Sequence, residues 1–418
     1  MLARTAYSCL YGLLLPLIVL RLVWRGHSAG LAERFGRLTL ATSQPVIWVH
    51  AVSVGETIAA APLIKALQQR HPDHQILVTN TTATGAARTR ALFGESVLHA
   101  YNPYDLGVFV RAFLNKVQPV LCIVMETELW PNMLNQCHQR GIPVVIANAR
   151  LSAKSAMGYQ KFAALSRHML HDVHTVAAQN AQDGERFTRL GLAEDKLAIT
   201  GSIKFDVTLD DDLMARAEAL HDQLSQQGKH PLWIAASTHK GEDDTLLLAH
   251  QRVRQRYPDI RLLLVPRHPE RFDNVYQLAA DTGLNVIRRS AASIPADWDI
   301  MIGDTMGELL LLLGAADIAF IGGSLVPNGG HNMLEAAVWS KPVITGPHLF
   351  NFQEISDLLV NASGMVVIED GKALAGQITA WLDEPAKRQQ AGEAAVAIVD
   401  TNRGALDKLL QCIDAALH

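Results

Sequence analysis

The sequence predicts an α/β protein with two parallel-sheet domains behind an apolar N-terminal helix. Short apolar runs alternate with longer amphipathic stretches, which is typical of βαβ units. This alternation stops at a polar segment near residue 205 and then begins again. The length of 418 residues also exceeds what one ordinary core accommodates.

Several strand candidates end at small or polar residues that can open a turn. In the first half they are Val46–His50, Ile76–Asn80, Val120–Glu126, Val144–Asn148, Thr175–Gln179 and Ala198–Gly201. In the second half they are Leu232–Ser237, Arg261–Pro266, Asn285–Arg288, Asp299–Gly303, Asp317–Gly322, Pro342–Gly346 and Gly364–Ile368. We therefore expect a membrane anchor and basic flank (1–40), a first Rossmann-like domain (41–204), a linker (205–230) and a second Rossmann-like domain (231–418). The last helix could cross back to the first domain.

The N-terminal segment has the composition of a membrane anchor. Ala6–Leu20 carries no charge and is slightly shorter than the ~20 residues that a spanning helix needs. Arginines are more frequent after it (Arg21, Arg25, Arg34 and Arg37) than before it (Arg4). By the positive-inside rule this places the remaining chain in the cytoplasm, at the inner membrane. A buried core helix and a helix lying in the membrane interface are the alternatives.

The charge and the motifs exclude several classes of function. The net charge of -4 gives no general attraction to nucleic acid, so an anionic ligand needs a local group of basic side chains. No G-x-G-x-x-G follows an early strand, and no Walker or H-E-x-x-H motif occurs. The four cysteines lack metal-ligand spacing. We expect no nucleic-acid partner, no metal and no cofactor.

Carboxylates follow two candidate strands of the first half. Glu56 stands at a helix start soon after the strand that ends at His50. It could take a proton from a hydroxyl, or it could complement the helix dipole. Gly55 would allow a tight turn and close approach of a substrate. Glu126 and Glu128 follow another strand, and both ligand chemistry and a cap for the next helix remain open for them.

Basic and hydroxyl groups occupy further turns after strands. Lys204 could meet a phosphate as a point charge or be a solvated linker lysine. The segment Ser237–Glu242 offers hydroxyls and amides at a helix start. Arg267 and His268 lie between two prolines, in a fixed turn where they could grip a phosphate. The Asp-x-Asp at 210–212 is better explained by helix capping than by metal binding.

The most specific segment is Gly322–Glu335. Its four glycines at a strand-to-helix connection would let backbone amides close around a phosphate. Glu335 could accept hydrogen bonds from both hydroxyls of a ribose. A purely structural glycine turn is the alternative. Together with Gly346–Phe352 after the next strand, the segment favours nucleotide binding.

These segments resemble those of bacterial 3-deoxy-D-manno-octulosonic acid (Kdo) transferases, which are membrane-anchored glycosyltransferases of the GT-B fold. The resemblance covers nearly the whole chain. It rests on the N-terminal anchor, His50–Glu56, Glu126–Asn132, Gly201–Asp206, Pro266–Arg271, Gly303–Leu309 and Gly322–Glu335. It implies two facing Rossmann-like domains with a cleft between them, of which the first (41–204) would bind the acceptor and the second (231–418) the CMP-sugar. It also implies inverting, metal-independent transfer of Kdo from CMP-Kdo to a lipid A precursor in lipopolysaccharide biosynthesis.

The resemblance implies roles for individual residues. Glu56 would be the general base, and Glu126 and Lys204 would help to stabilise the transition state. CMP would be held by Arg267, His268, Met306, Gly307, Glu308, Asn332, Met333, Leu334 and Glu335. Met333 and Leu334 would contribute through their backbone. Further contacts could come from Ser53, Gly55, Ser237, Gly323 and Ser324.

Two other functions share parts of this pattern. A UDP-sugar transferase or epimerase would have the same fold and a glutamate on the ribose, but its diphosphate ligand needs a phosphate site of a different size. A non-catalytic membrane adaptor on a GT-B fold is the second alternative. The intact set Glu56, Lys204, Arg267 and Glu335 argues against it, since loss of catalysis would free those positions to drift. The missing glycine fingerprint leaves a nicotinamide dehydrogenase as a distant third.

Overall fold

The structure, a computed structural model, describes residues 2–24 and 29–417. The chain forms two compact units: one extends to Asp206 and includes the chain from Arg403 onward, and the other is Val207–Asn402. Each unit contains a parallel sheet of seven strands with helices, which confirms the predicted α/β fold class. Arg25, counted above among the flanking arginines, lies outside the described residues.

The first sheet has the strand order of a doubly wound fold. Its strands are β1 (Val46–His50), β2 (Gln75–Asn80), β3 (Leu98–Tyr101), β4 (Pro119–Met125), β5 (Val144–Ala149), β6 (Thr175–Ala178) and β7 (Leu197–Ile199). They pair in parallel in the order β3-β2-β1-β4-β5-β6-β7. The sequence did not reveal β3, a strand of four residues in which polar His99 interrupts the apolar run.

Helices connect these strands and cover both faces of the sheet. Those of the first part of the chain are α1 (Leu2–Trp24), α2 (Leu31–Arg34), α3 (Val54–Arg70), α4 (Ala83–Phe93), α5 (Gly107–Val117), α6 (Pro131–Gln139), α7 (Ala153–Gln160), α8 (Ala163–Asp172) and α9 (Ala181–Arg189). Successive residues of β1 point to opposite faces, so Trp48 joins one apolar cluster and Ile47 the other. All five residues of β1 are buried, which suits a central strand covered on both sides.

The second unit repeats this architecture with a different strand order. Its strands are β8 (Leu232–Thr238), β9 (Arg261–Pro266), β10 (Val286–Arg288), β11 (Ile300–Ile302), β12 (Ile318–Ile321), β13 (Val343–Thr345) and β14 (Met365–Val367). Their order is β10-β11-β9-β8-β12-β13-β14, again parallel throughout. Its helices are α10 (Asp211–Ser225), α11 (Asp243–Arg254), α12 (Phe272–Ala280), α13 (Leu309–Ala315), α14 (Leu334–Ala337), α15 (Gln353–Asn361), α16 (Gly371–Asp383) and α17 (Pro385–Asn402).

The segment expected to link the domains contains α10, which packs against α13 of the second unit. The carboxylate of Asp210 accepts a hydrogen bond of 2.7 Å from the amide of Leu213 and so caps α10. The capping explanation of the Asp-x-Asp is therefore confirmed.

The last helix, α18 (Ala405–Leu417), belongs to the first unit. Its residues Leu409, Leu410 and Ile413 are buried in the apolar cluster that covers one face of the first sheet. Both carboxylate oxygens of Asp206 bind the start of this helix. They accept hydrogen bonds of 2.6 Å from the amides of Gly404 and Leu406. Helix α18 is therefore part of the hydrophobic core of the first unit, although it follows the second unit in sequence.

Helix α1 is long and apolar enough to cross a membrane, with a mean hydropathy of 1.9 over its most apolar 18 residues. Only 6% of that stretch is buried, and Leu13 and Leu17 are exposed. A polar contact connects α1 to the rest of the unit, because the side-chain Nδ2 of Asn132 donates a hydrogen bond of 2.9 Å to the hydroxyl of Ser8. The low burial argues against the alternative of a core helix.

Arg34 does not act as a free charge of the basic flank. Its side chain is buried, and its guanidinium donates a hydrogen bond of 2.7 Å to the carbonyl of Thr81. The guanidinium also lies 4.4 Å from the centroid of the Tyr101 ring, in cation–π contact. Arg34 therefore counts among the flanking arginines by its position in the sequence, while its side chain stabilises the first unit.

Replacement of Leu409 tests the contribution of α18 to the first unit. Leu409→Ala leaves a cavity in a fully buried position, so we expect a loss of about 2–4 kcal/mol in the free energy of unfolding. Urea unfolding followed by tryptophan fluorescence measures it. The exposed neighbour Lys408→Ala is the matched control and should change stability by less than about 0.5 kcal/mol. Equal effects of the two variants would contradict the burial of α18.

Candidate active site

Glu56 lies just beyond the carboxyl end of β1, at the start of α3. The hydroxyl of Ser53 accepts a hydrogen bond of 3.4 Å from the amide of Glu56 and donates one of 2.9 Å to Glu56 Oε1. The amide of Val52 donates a bond of 2.9 Å to Glu56 Oε2. This is a form of capping box, so the capping role considered for Glu56 is present. The same bonds hold the carboxylate in one orientation.

The environment of Glu56 makes it easy to protonate near neutral pH. Burial raises the pKa of Glu56 to about 7, and the nearby carboxylates of Glu128 and Glu126 act in the same direction. The hydrogen bonds from Val52 and Ser53 oppose this shift because they favour the ionised form. A carboxylate with such a pKa can both accept and release a proton at physiological pH.

Glu126 follows β4 with a backbone φ of 56°, in the left-handed region. Its carboxylate forms an ion pair of 2.9 Å with the Nε of Arg150, a residue that the sequence did not single out. Burial raises the pKa of Glu128, and the charge of Glu126 adds to that effect. Two adjacent carboxylates thus lie close to Glu56, and one of them has a cationic partner.

Neither of these carboxylates caps α6, so that alternative was wrong. The buried carboxylate of Asp105 does so instead. It accepts hydrogen bonds of 3.0 and 2.8 Å from the amides of Asn132 and Met133. Sequence reasoning could not assign this cap because Asp105 lies far from α6 along the chain.

Lys204 is half-buried in a 3₁₀ turn, Ile203–Phe205, which is bound to the end of β5. The amide of Ile203 donates a hydrogen bond of 3.2 Å to the side chain of Asn148, which itself has a φ of 52°. Because β1, β4 and β5 are adjacent parallel strands, Glu56, Glu126 and this turn belong to one edge of the sheet.

Gly55 plays a different part from the tight turn expected of it. It lies within α3, and it is not among the residues of positive φ. A Cβ added there would meet only Ser53 Oγ, at 3.9 Å. The open space beside Gly55 leaves room for a ligand next to Glu56.

The second unit has a buried carboxylate at the corresponding edge of its sheet. Glu242 is fully buried and accepts four backbone hydrogen bonds. They come from the amides of His239 (2.8 Å), Gly323 (2.7 Å), Ser324 (3.0 Å) and Leu325 (2.9 Å). Glu242 therefore joins the turn after β8 to the glycine loop after β12.

This arrangement corrects the expected role of the glycine loop. The amides of Gly323 and Ser324 are taken by Glu242, so they do not form an open phosphate cradle. The hydroxyl of Ser324 is buried, donates to the Ile321 carbonyl at 2.6 Å and accepts from the Gly346 amide at 2.8 Å. Ser237 is also buried, with a φ of 57°. At Gly323 and Ser324 the loop is therefore the purely structural glycine turn that the sequence analysis gave as the alternative.

Basic groups are concentrated in the turn that follows β9. The amide of Arg267 donates a hydrogen bond of 3.0 Å to the carbonyl of Thr238, while its side chain is partly exposed. His268 is exposed. Arg271 donates a hydrogen bond of 2.6 Å to the same carbonyl and forms an ion pair with the carboxylate of Asp243. The turn is therefore fixed, and it leaves Arg267 and His268 accessible.

The remaining residues expected to bind CMP belong to neighbouring loops of the same unit. Asn332 donates a hydrogen bond of 3.4 Å to Glu335, and burial raises the pKa of the Glu335 carboxyl. Arg267 opposes this shift, so its charge lies near Glu335. Met333 and Leu334 are fully buried, in keeping with contacts through the backbone alone.

The segment Met306-Gly307-Glu308 precedes α13. Met306 is exposed and Gly307 has a φ of 88°, so the backbone is open at the surface there. Glu308 forms an ion pair of 3.1 Å with Arg289, which orients its side chain.

One group of the described residues has the geometry to hold a metal ion. It consists of His138, His171 and Asp172, whose ligand atoms lie within 4.8 Å of one another. Both histidines are exposed, and they lie near the C-terminal ends of α6 and α8. Helix α6 runs back from the carboxyl end of β4, so this group is at the opposite edge of the sheet from Glu56.

Comparison with known proteins identifies the family. A family described as "3-Deoxy-D-manno-octulosonic-acid transferase (kdotransferase)" matches residues 29–207. The chain is 46% identical to a 3-deoxy-D-manno-octulosonic acid transferase of Haemophilus influenzae, over 93% of this chain and 91% of that protein. The chain belongs to the 3-deoxy-D-manno-octulosonic acid transferase family. The resemblance inferred from the sequence is thereby confirmed.

A second relative supports membership of the Kdo transferase family, and a solved structure shows the same fold. A 3-deoxy-D-manno-octulosonic acid transferase of Bordetella pertussis is 36% identical over 98% of this chain and 99% of its own length. Among solved structures, a UDP-GlcNAc 2-epimerase from Neisseria meningitidis bound to UDP-GlcNAc is similar, with a TM-score of 0.56 and 14% identity. It covers 89% of this chain and 100% of its own, and it shows the shared fold alone.

Removal of the Glu242 carboxylate tests its organising role. Glu242→Ala leaves four backbone amides, two of them buried, without their acceptor, so we expect the free energy of unfolding to fall by about 3 kcal/mol or more. Denaturant unfolding of the purified variant measures this change. Asp244→Ala, two residues away and exposed, should leave stability almost unchanged. A Glu242→Ala variant as stable as the parent would show that the loop does not depend on this carboxylate.

Proposed function

We propose that the chain transfers Kdo from CMP-Kdo to a lipid A precursor, with inversion at the anomeric carbon and without a metal ion. Membership of the Kdo transferase family supports the sugar and the reaction type. The observation that carries the mechanism is the geometry of Glu56. Its carboxylate is held by Val52 and Ser53, and it has a pKa near 7.

In this mechanism Glu56 takes the proton of an acceptor sugar hydroxyl. The acceptor oxygen then bonds to the anomeric carbon of Kdo, opposite the leaving CMP. The bond between that carbon and the phosphate oxygen breaks, and its electron pair leaves with CMP. Because attack and departure occur on opposite faces, the anomeric centre is inverted. Glu126 and Lys204 would stabilise the transition state, and the ion pair with Arg150 orients Glu126 for that task.

The donor would be bound by the second unit. Arg267 and His268 are accessible in a fixed turn and would meet the phosphate of CMP. Glu335 would accept hydrogen bonds from the ribose hydroxyls, since Asn332 already orients its carboxylate. The backbone from Met306 to Glu308 and from Asn332 to Glu335 would complete the nucleotide site. Cationic side chains can offset the charge that develops on CMP, which is the role a divalent ion would otherwise fill.

We further propose that α1 anchors the protein to the inner membrane, with both units in the cytoplasm. The length and hydropathy of α1 support membrane association, and its exposed leucines would face lipid. Of the flanking arginines that the structure describes, Arg21 and Arg37 are exposed and Arg34 is buried, and all three follow the apolar stretch. A lipid acceptor would thus be within reach of an anchored enzyme.

A transfer assay with EDTA tests the proposed activity. CMP-Kdo is made in situ because it is labile, and a tetra-acylated lipid A precursor is supplied as acceptor. We expect a heavier lipid product, measured by mass spectrometry, together with released CMP. No product from a protein that binds CMP would overturn the acceptor assignment. Binding of UDP in place of CMP would support the UDP-sugar alternative, and transfer that EDTA abolishes would refute metal independence.

Replacement of Glu56 tests its role as the base. Glu56→Gln keeps the size of the side chain and one acceptor oxygen but cannot take a proton, so kcat should fall about 10²- to 10⁴-fold while CMP binding is retained. Glu95→Gln, an exposed glutamate of the same unit, is the control and should keep full activity.

The pH dependence of the parent enzyme follows from the same group. Since the raised pKa leaves Glu56 protonated below about 7, its base form is depleted at acid pH. We expect kcat, measured at saturating donor, to rise through about pH 7 and to level off above it. An activity independent of pH between 6 and 8.5, or substantial turnover by Glu56→Gln, would exclude this base.

A further inference from the structure

Two histidine rings are in direct contact beside the basic turn of the second unit. The Nε2 atoms of His239 and His331 lie 2.7 Å apart, and the two ring planes are within 13° of parallel. The side-chain nitrogen of Asn328 lies 3.0 Å from His239 Nε2. At this separation one imidazole nitrogen must carry a hydrogen and the other must accept it. The neutral pair therefore holds one bridging hydrogen and can take up one further proton.

The position of each ring is fixed by the backbone. His239 follows β8, and its amide donates a hydrogen bond of 2.8 Å to the buried Glu242. His331 ends the glycine loop, in which Gly330 donates a bond of 2.8 Å to the carbonyl of Gly323. The two histidines thus come from the two segments that Glu242 joins. Their contact is a product of that shared anchor.

Cationic groups surround the pair. The ring of His268 packs edge-on against His239 at 5.2 Å between centroids. Burial lowers the pKa of His331 to about 3, and the charges of Arg267, His239 and His268 lower it further. With these neighbours the pair is neutral at physiological pH.

The basic turn after β9 also affects the pKa of His239. Burial lowers the pKa of His239, and His268, Arg271 and Arg267 act in the same direction. The carboxylate of Asp243 acts against them, but it forms an ion pair with Arg271. The buried carboxylate of Glu242, to which the His239 amide donates, is a second acidic group beside the pair. Arg267 is accessible in its fixed turn and is the cation that an anion beside the pair would meet.

We propose that His239 and His331 bind the phosphate of CMP as one unit and that this binding is coupled to the uptake of one proton by the pair. The inference rests on the proposed function, since it takes CMP as the leaving nucleotide. A phosphate dianion placed among these cations offsets their repulsion and favours the imidazolium form. The protonated ring then makes a charge-assisted hydrogen bond, which is stronger than a neutral one.

Such a site differs from one built only of arginine and lysine. The charge of arginine and lysine is constant between pH 6 and 9, so the affinity they give hardly changes with pH. The affinity of a histidine pair falls as the pH rises, because the proton that binding requires becomes scarcer. Proton uptake is therefore a readout that a purely structural role of the two rings would not produce.

Calorimetry of CMP binding to the full chain in detergent tests the proposal. Titrations in two buffers of different ionisation enthalpy give the number of protons taken up. We expect net proton uptake on CMP binding at pH 7–7.5, with an uptake and an affinity that both fall as the pH rises. A phosphate monoester has a second pKa of about 6, so CMP is already a dianion in this range and the proton goes to the protein.

Variants identify the groups that take up the proton. His239→Gln and His331→Gln should each abolish proton uptake, flatten the pH dependence and weaken CMP binding about tenfold at pH 7. His268→Gln should keep the uptake although it removes a neighbouring ring. His230→Gln is the matched control, because His230 precedes β8 and bonds to the Asp259 carbonyl at 3.0 Å. Circular dichroism confirms that each variant is folded.

Each outcome decides the proposal. CMP binding by the parent without proton uptake refutes it and leaves the CMP donor of the proposed function intact. Uptake that survives both His239→Gln and His331→Gln refutes it in the same way. Failure of the folded parent to bind CMP would refute the donor assignment together with the inference, so the two failures are distinguishable.

Discussion

The second unit is organised around the buried carboxylate of Glu242. A carboxylate with no access to water is costly unless hydrogen bonds replace its hydration. Four backbone amides supply those bonds here, from two loops that are far apart in sequence. The turn after β8 and the glycine loop after β12 are consequently fixed to each other. The histidine pair and the accessible basic turn both depend on this fixed frame.

The first unit uses a carboxylate in the opposite way. Glu56 also accepts bonds from the chain that precedes its helix, and among the described residues these come from Val52 and Ser53. It is partly exposed, and its pKa is raised to about 7. Two glutamates at the carboxyl edges of parallel sheets thus have different properties. Glu242 accepts four hydrogen bonds and serves as a structural anchor. Glu56 accepts fewer hydrogen bonds, so its carboxylate can still exchange a proton.

Much of the fold followed from the sequence because hydrophobic periodicity is a local signal. Nearly all strands were recognised, and β3 was missed because it is short and contains His99. The position of Glu56 at a helix start could also be predicted, because the strand and the helix on either side of it are close in sequence. Long-range pairings were not accessible: Asp105 caps α6, and Arg150 pairs with Glu126. The glycine loop was misjudged for the same reason, since its amides bind a glutamate from a distant turn.

The return of α18 to the first unit has a consequence for synthesis of the protein. The ribosome releases the chain from its N-terminus, and domains generally fold as they emerge. One face of the first sheet is covered by Leu409, Leu410 and Ile413, which are made after the whole second unit. That apolar face must therefore stay open while nearly two hundred further residues are translated. A chain cut short after the second unit would keep this face exposed, and it would be a natural substrate for chaperones and proteases.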